Sequence, residues 1–422
     1  MAYRKSALPN GIRLVTETMP HVRSVAVGIW VETGSRLEPE PLGGISHLIE
    51  HLVFKGTATR SAEEIARAID SVGGQMDAFT AKEHTCFYVS VLDEHVPLAV
   101  SLLTDILRQP LFAKADIEKE KAVVLQEIKM VEDTPDDLIH DLFAERIWAD
   151  HPLGRPILGR WDVVKEFDRD TVLGYFEREY VPGRIVVAVA GHVEHERVAD
   201  LFAAGFEGWG RPAAPHTFAP PAMHPGIHAV QKPLEQVHLV MGLPGVSDTA
   251  PDRYPLYLLN DIIGGSMSSR LFQEVRENRG LAYEIGTHLR HFADTGAFVI
   301  SAGVEASKTV EALSVILREL KKITRTPVPK AELDRAKEYF IGQTTLALED
   351  TMDHMLWLGE PLVTLDRLYT SEEVLRAVKR VQPDDLRRVA RELFREKALH
   401  LAMIGPQKEK DRKKIKEVFH FD

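Results

Sequence analysis

Residues 11–32 alternate in two strand-like runs, the second ending in the largely apolar Ser24-Val25-Ala26-Val27-Gly28-Ile29-Trp30-Val31, where larger and smaller side chains take turns from Val25 to Ile29. A period of two predicts strands. The turn Pro39-Glu40-Pro41-Leu42-Gly43-Gly44 then opens a helix through His47–His51. Ser61-Ala62-Glu63-Glu64 reads as a capping box, with the apolar run Ile65, Ala66, Ala68 and Ile69 behind it and Gly73-Gly74 as its stop. Residues Gln75–Val91 read as strand, polar turn and strand, hence a hairpin. Helical patterns follow over Val96–Arg108 and Lys114–Glu132. After a polar stretch with Pro152 and Pro156 comes a helix over Arg169–Tyr180, and the strand Ile185–Gly191 closes this half. This order of elements predicts an α+β fold, a mostly antiparallel sheet with helices packed on one face.

The pattern breaks between Phe206 and Gly226, where Pro212, Pro215, Pro220, Pro221 and Pro225 crowd together. A proline-rich stretch without periodicity reads as a semi-rigid linker. The first pattern then returns. Val237–Pro244 answers Val25–Val31, Ser269–Val275 answers the capping-box helix, and Gly280–Ile285 with Gly296–Ala302 answers the hairpin. Lys330-Ala331-Glu332-Leu333 matches Lys114-Ala115-Asp116-Ile117 at an offset of 216, and Leu399–Gly405 answers Ile185–Gly191. Such a period is far beyond solenoid repeats and indicates a duplicated domain. The expected organisation is therefore residues 1–208, a linker at 209–229, and residues 230–422 with the same fold.

Length and composition agree with this picture. A chain of 422 residues exceeds what one core supports, and 44% hydrophobic with 27% charged residues is ordinary for a globular protein. The net charge of −11 argues against nucleic acid as the main partner and is compatible with a cationic peptide. No secretory signal and no membrane span is expected. The single cysteine, Cys86, excludes an internal disulfide and a cysteine-based zinc cluster and reads as a small buried hydrophobe. A reducing cytoplasm fits these features.

One stretch carries chemistry. In His47-Leu48-Ile49-Glu50-His51 the two imidazoles are four apart, on one face of the helix one turn from each other, and Glu50 lies in the same arc. Two histidines at this spacing suit zinc, and a carboxylate beside them can take a proton from the attacking water. The order H-x-x-E-H is the inverted zincin motif. Three fixed letters arise by accident about 0.1 times in such a chain, so the motif needs company. The second copy lacks it, and Gln343 stands where the first copy has Glu127. A catalytic zinc takes three protein ligands. The helix after Lys114 offers Glu118, Glu120, Glu127 and Glu132, and position alone does not choose between Glu120 and Glu127, seven residues apart on one face.

These residues resemble the M16 metallopeptidases: the mitochondrial processing peptidase, its bacterial homologues and, more distantly, pitrilysin and insulysin. The resemblance spans nearly the whole chain. It rests on His47–Thr57, Asp77-Ala78-Phe79-Thr80, Val124-Leu125-Gln126-Glu127-Ile128, Ser268-Ser269-Arg270-Leu271-Phe272 and Gly280-Leu281-Ala282-Tyr283. The family's distal glutamate ligand lies about 76 residues past the second histidine, which selects Glu127 as the third zinc ligand and leaves Glu120 as the supporting carboxylate. The resemblance also implies that Arg276 and Tyr283 hold the substrate carbonyl and that Asp77–Thr80 is an edge strand receiving an extended peptide. Relatives often carry asparagine where this chain has Asp77. The implied function is zinc-dependent endopeptidase cleavage of unfolded peptides or presequence-like segments within a chamber, with Glu50 as the base. A chain of two such domains would pair as a homodimer. Two alternatives follow from the same resemblance, a non-catalytic scaffold subunit and the catalytic half of a heterodimer.

Overall fold

A computed structural model describes residues 3–210, 213, 216 and 219–420; Pro212 and Pro215 of the expected linker lie outside the described residues. Strands β1 (Arg4–Ala7), β2 (Arg13–Thr18), β3 (Ser24–Val31), β4 (Gln75–Thr80), β5 (Thr85–Leu92) and β6 (Ile185–Gly191) form one sheet in the order β1-β2-β6-β3-β5-β4. Strands β7 (Gly226–Gln231), β8 (Gln236–Pro244), β9 (Ala282–His291), β10 (Gly296–Glu305) and β11 (His400–Gly405) form a second in the order β7-β11-β8-β10-β9. Each sheet has one parallel pair, β2 with β6 and β7 with β11, and is otherwise antiparallel. The two strand orders match once β1 is set aside, so the duplication expected from the sequence is present in the topology.

The first half contributes helices α1 (Ile45–Leu52), α2 (Ala62–Asp70), α3 (Val96–Arg108), α4 (Lys114–Asp133), α5 (Pro135–Ile147), α6 (Trp161–Val164), α7 (Arg169–Glu179) and α8 (His195–Gly205). The second contributes α9 (Arg253–Ile263), α10 (Thr309–Arg325), α11 (Lys330–Ala347), α12 (Thr351–Leu365), α13 (Ser371–Arg380), α14 (Pro383–Leu393) and α15 (Glu409–Val418). The capping box of α2 is formed as read: Ser61 accepts from Glu64 N, and the Glu64 carboxylate accepts from Ser61 N. Its expected counterpart Ser269–Val275 is not an α-helix; the segment continues as a π-helical turn, Phe272–Glu277.

The chain divides into two compact units that interleave in sequence. One comprises Met1–Met130, Arg155–Thr217 and Thr344–Ser371; the other comprises Val131–Gly154, Phe218–Gln343 and Glu372–Asp422. Each of the expected halves, 1–208 and 230–422, thus lends a segment to the other's unit, and β7 begins inside the stretch expected as linker.

The lent segments correct the expectation of helices on one face only. On one face of the first sheet, Val25, Val27, Ile29 and Val31 pack with Leu48, Leu52, Leu103 and Ile106. The alternate positions Ala26 and Trp30, with Val186, Ala188 and Ala190, pack against Met355, Leu358, Leu362 and Val363 of α12. The period of two therefore fills both faces. Burying those four side chains contributes roughly 1.5–3 kcal/mol each. In the second unit, Val240, Val299, Ala402 and Ile404 receive Phe143, Ala144 and Ile147 of α5 in the same manner. A glycine on the central strand admits the helix in each case. A Cβ at Gly28 would stand 2.3 Å from Met355 Sδ, and one at Gly242 would stand 2.3 Å from Phe143 Cζ. No helix among the described residues is long and apolar enough to cross a membrane.

Candidate metal centre

Helix α1 is short, and its sequence divides it cleanly. Ile45, Leu48, Ile49 and Leu52 are buried in the core, which leaves His47, Glu50 and His51 half-buried on the remaining face. Its N-terminal amides are satisfied from upstream: the Glu38 carboxylate accepts from Gly44 N at 2.7 Å and from Ser46 N at 2.8 Å. This fixes the start of the helix just ahead of His47, with Gly44 in the left-handed region at φ 95°.

Helix α4 brings carboxylates to this face. The Glu127 oxygens lie 3.7 Å from His47 Nε2 and 3.8 Å from His51 Nε2. One donor atom from each of His47, His51 and Glu127 falls within 4.8 Å of the other two. Ligands about 2.0–2.2 Å from a tetrahedral zinc stand about 3.4 Å from one another, so the set closes on such an ion with small adjustments. The chemistry of the donors agrees. Glu127 Oε2 is buried with no hydrogen-bond partner among the described residues, an orphan that a cation would satisfy. Burial, reinforced by the neighbouring His51, holds the His47 imidazole down at about 4, so it is neutral and its lone pair is free to coordinate. The residues present therefore fit a zinc ion.

Glu120 occupies the other side of His51. Its Oε2 lies 3.2 Å from His51 Nδ1, and its Oε1 pairs with Lys55 Nζ at 2.9 Å. A carboxylate on the distal nitrogen fixes the ring and directs Nε2 toward a metal. Glu50 is positioned by the edge strand: Thr80 Oγ1 donates to Glu50 Oε2 at 2.5 Å. Burial pushes the Glu50 carboxyl up from its ordinary range, against that hydrogen bond.

Strand β4, carrying Asp77, Ala78, Phe79 and Thr80, is an edge of its sheet and packs beside α1. The Asp77 carboxylate accepts from Ala78 N at 2.8 Å, so that amide already has a partner. The Phe79 ring turns inward against Trp30, His84 and Tyr88, which leaves its backbone rather than its side chain for a ligand.

Arg276 and Tyr283 belong to the other unit, where the structure brings them together. The Arg276 guanidinium lies 5.6 Å from the Tyr283 ring centre and 4.7 Å from that of Phe272. Arg276 sits on the π-helical turn, and Tyr283 is the unpaired residue of a bulge in edge strand β9, between Ala282 opposite Val304 and Glu284 opposite Gly303. Bulges and π-turns re-aim single side chains, and Tyr283 is accordingly 79% exposed.

Glu38, Lys55 and the Thr80 hydroxyl were not singled out by sequence reasoning. Lys55 is four residues past His51 and was findable by helical spacing. Glu38 acts through a loop and left no periodic signal.

Comparison with known proteins identifies the family. Residues 13–160 match the family model for insulinase, peptidase family M16, and residues 166–340 match that for the peptidase M16 inactive domain. An uncharacterized zinc protease of Streptomyces coelicolor is 40% identical over 420 residues, covering 98% of this chain and 91% of its own. The uncharacterized zinc protease YmxG of Bacillus subtilis is 39% identical over 399 residues, covering 94% and 97%. Among solved structures, a protease from Helicobacter pylori superposes with a TM-score of 0.89 at 21% identity, covering 96% of this chain and all of that one. A chain of complex III2 from Candida albicans does so with 0.83 at 17%, covering 98% and 99%. The M16 family is zinc-dependent; the insulinase model covers the His47–His51 motif, and the inactive-domain model begins beyond it. The chain belongs to the M16 peptidase family.

Proposed function

We propose that this chain is a zinc-dependent endopeptidase acting on unfolded peptides or presequence-like segments. The observation that carries the reading is the convergence of Glu127 of α4 on His47 and His51, which share a face of α1 with Glu50. His47, His51 and Glu127 hold the zinc, and Glu120 orients His51. Bound there, zinc supplies Lewis-acid polarisation of the scissile carbonyl and acidifies the attacking water. Glu50 takes the proton from that water and returns it to the leaving amine. The substrate lies as an added strand along Asp77–Thr80, held by backbone hydrogen bonds. Arg276 and Tyr283 hold the substrate carbonyl and stabilise the developing oxyanion. The net charge of −11 favours basic peptides. A cytoplasmic homodimer completes the reading, its four domains enclosing the chamber.

Glu50→Gln tests it. Zinc measured by elemental analysis should stay bound while digestion of a peptide library falls by orders of magnitude; hydrolysis at the wild-type rate would sink the assignment. His51→Ala and Glu127→Ala should lose the metal, and a chelator should abolish digestion by the wild type. Arg276→Ala and Tyr283→Phe should lower kcat with zinc retained; unchanged kcat/KM in both removes them from the site. Light scattering should give roughly twice the 47.4 kDa of one chain, and a fully active monomer contradicts the pairing.

The likeness to a complex III2 chain favours a second reading, a non-catalytic scaffold. At 17% identity that likeness concerns the fold alone, and the complete ligand set here favours the enzyme. Measuring bound zinc separates the two.

A further inference from the structure

The Thr80 hydroxyl is held in place by more than its own strand. Thr85 sits opposite Thr80 across the β4–β5 pair, with their hydroxyl oxygens 3.4 Å apart. The Thr85 hydroxyl donates to Thr33 O at 2.9 Å, and Thr80 donates to Glu50, so both protons are committed elsewhere. The contact between them is therefore packing that fixes the Thr80 rotamer. The path continues through Thr33 Oγ1, 2.7 Å from Tyr175 OH, and on to Ser46 Oγ at 3.2 Å. Ser46 precedes His47 on α1. A ring of packed and hydrogen-bonded groups, with the Thr33 backbone carbonyl as one link, thus leaves α1 at Ser46 and returns to it at Glu50, and Thr33, Ser46, Thr85 and Tyr175 are all buried within it.

Such a ring fixes geometry. Every member but Thr80 is inaccessible, and a hydroxyl hydrogen-bonded on one side and packed against a buried neighbour on the other cannot rotate freely. Among the described residues Thr80 is the hydrogen-bond donor to Glu50, and it engages only Oε2. A charge-assisted O–H···O⁻ bond is short and strong, and it leaves the second carboxylate oxygen available to receive a proton. Thr80 is also the last residue of the edge strand beside α1.

We propose that the Thr80 side chain is a positioning residue for Glu50, anchored by the Thr85–Thr33–Tyr175–Ser46 ring and setting the carboxylate's orientation from the strand that receives the substrate. The proposal rests on the peptidase reading above. Thr80→Val keeps the shape and removes the donor, whereas Thr80→Ser keeps the donor.

The test measures kcat, KM, bound zinc and thermal midpoint for wild type, T80V, T80S and E50Q. T80V should lose about tenfold or more in kcat while KM stays within about twofold and zinc content is unchanged. T80S should recover most of that loss. If E50Q is inactive and T80V retains wild-type kcat, or if T80S is as slow as T80V, the inference is overturned while the peptidase reading stands. A drop in zinc content or thermal midpoint in T80V that accounts for the slower turnover also overturns it. If E50Q keeps wild-type turnover, the peptidase reading falls and the inference with it.

Discussion

Gly359→Ala probes the seating of α12 against the first sheet. A Cβ at position 359 would lie 1.9 Å from Trp30 Nε1, 2.3 Å from its Cε2 and 2.7 Å from its Cδ1. Carbon contacts settle near 3.5–4.0 Å, so the helix or the indole must move by more than about 1 Å. Neither moves freely. Trp30 is fully buried, with Phe79 at 5.7 Å and His84 at 5.1 Å between ring centres, and Gly28 on the same strand already admits Met355. Overpacking of this kind costs about 1–3 kcal/mol, and a clash with a rigid ring belongs at the upper end. Replacing a mid-helix glycine with alanine returns about 1 kcal/mol of helix propensity. The net expectation is a loss of about 1–2 kcal/mol, a fall of roughly 2–8 °C in Tm for a unit of this size. Gly174 in α7 supplies the control, because a Cβ there meets nothing within 4 Å. Gly174→Ala should stabilise by about 0.5–1 kcal/mol. Urea unfolding with an unchanged m-value reads both. The clash should also shrink in a Trp30→Phe background, which a double-mutant cycle resolves. Gly359→Ala matching or exceeding wild-type stability while Gly174→Ala stabilises would refute the packing argument.

Two other expectations follow from buried groups. Glu38→Ala strips the partners from Gly44 N and Ser46 N at the start of α1, which should cost about 2–3 kcal/mol and weaken zinc binding about tenfold or more as His47 loses its register. Competition with a chelating indicator checks the affinity, and unchanged binding and stability would show that α1 needs no such cap. His84 is buried, and desolvation holds its imidazole at about 4, below the ordinary 6.5. Between these values the unfolded chain binds a proton that the folded chain refuses, so stability falls as the pH drops from 6.5 towards 4. His84→Phe keeps a ring against Trp30 and Phe79 and should flatten this acid limb by about one proton's slope. Parallel limbs in wild type and variant would mean that His84 titrates normally when folded.

Strands such as β3 and β6 were legible as short runs rich in β-branched residues and bounded by turns, and the motif because two imidazoles four apart have little choice but to share a helix face. The segments exchanged between the units were not. The buried face of α12 carries Thr351, His354 and Gly359 among its apolar residues, and the partly buried Met352, Leu356 and Trp357 pack against the same core, so the apolar arc is wide and interrupted rather than a narrow stripe. Helix α5 opens on Pro135-Asp136-Asp137 and passes for a polar connection. Strand β1 is the exposed run Arg-Lys-Ser-Ala, held by pairing with β2 rather than by any apolar pattern. Helical spacing alone left Glu120 and Glu127 equivalent; the family resemblance chose Glu127, and the geometry gives the physical difference between them. Two helical turns, about 10 Å, separate them, so one carboxylate reaches the Nε2 side of the histidines and the other the Nδ1 side of His51. The outward aim of Tyr283 depends on a strand bulge, which a sequence of ordinary strand formers does not announce.

The position of α12 in the chain also sets a timetable for synthesis. Strand β6 completes the first sheet at Gly191, but the helix that covers the Trp30 face begins only at Thr351. Roughly 160 further residues must be polymerised in between, a delay of roughly 10–30 s at typical elongation rates. Throughout that interval a nascent chain presents Ala26, Trp30, Val186 and Ala188 uncovered, an adhesive surface that invites chaperone capture. Ribosome-bound chains arrested before residue 351 should be cut readily by protease within this sheet, and chains arrested well past 371, with α12 clear of the exit tunnel, should resist. Equal resistance at both lengths would mean that the sheet does not wait for its helix.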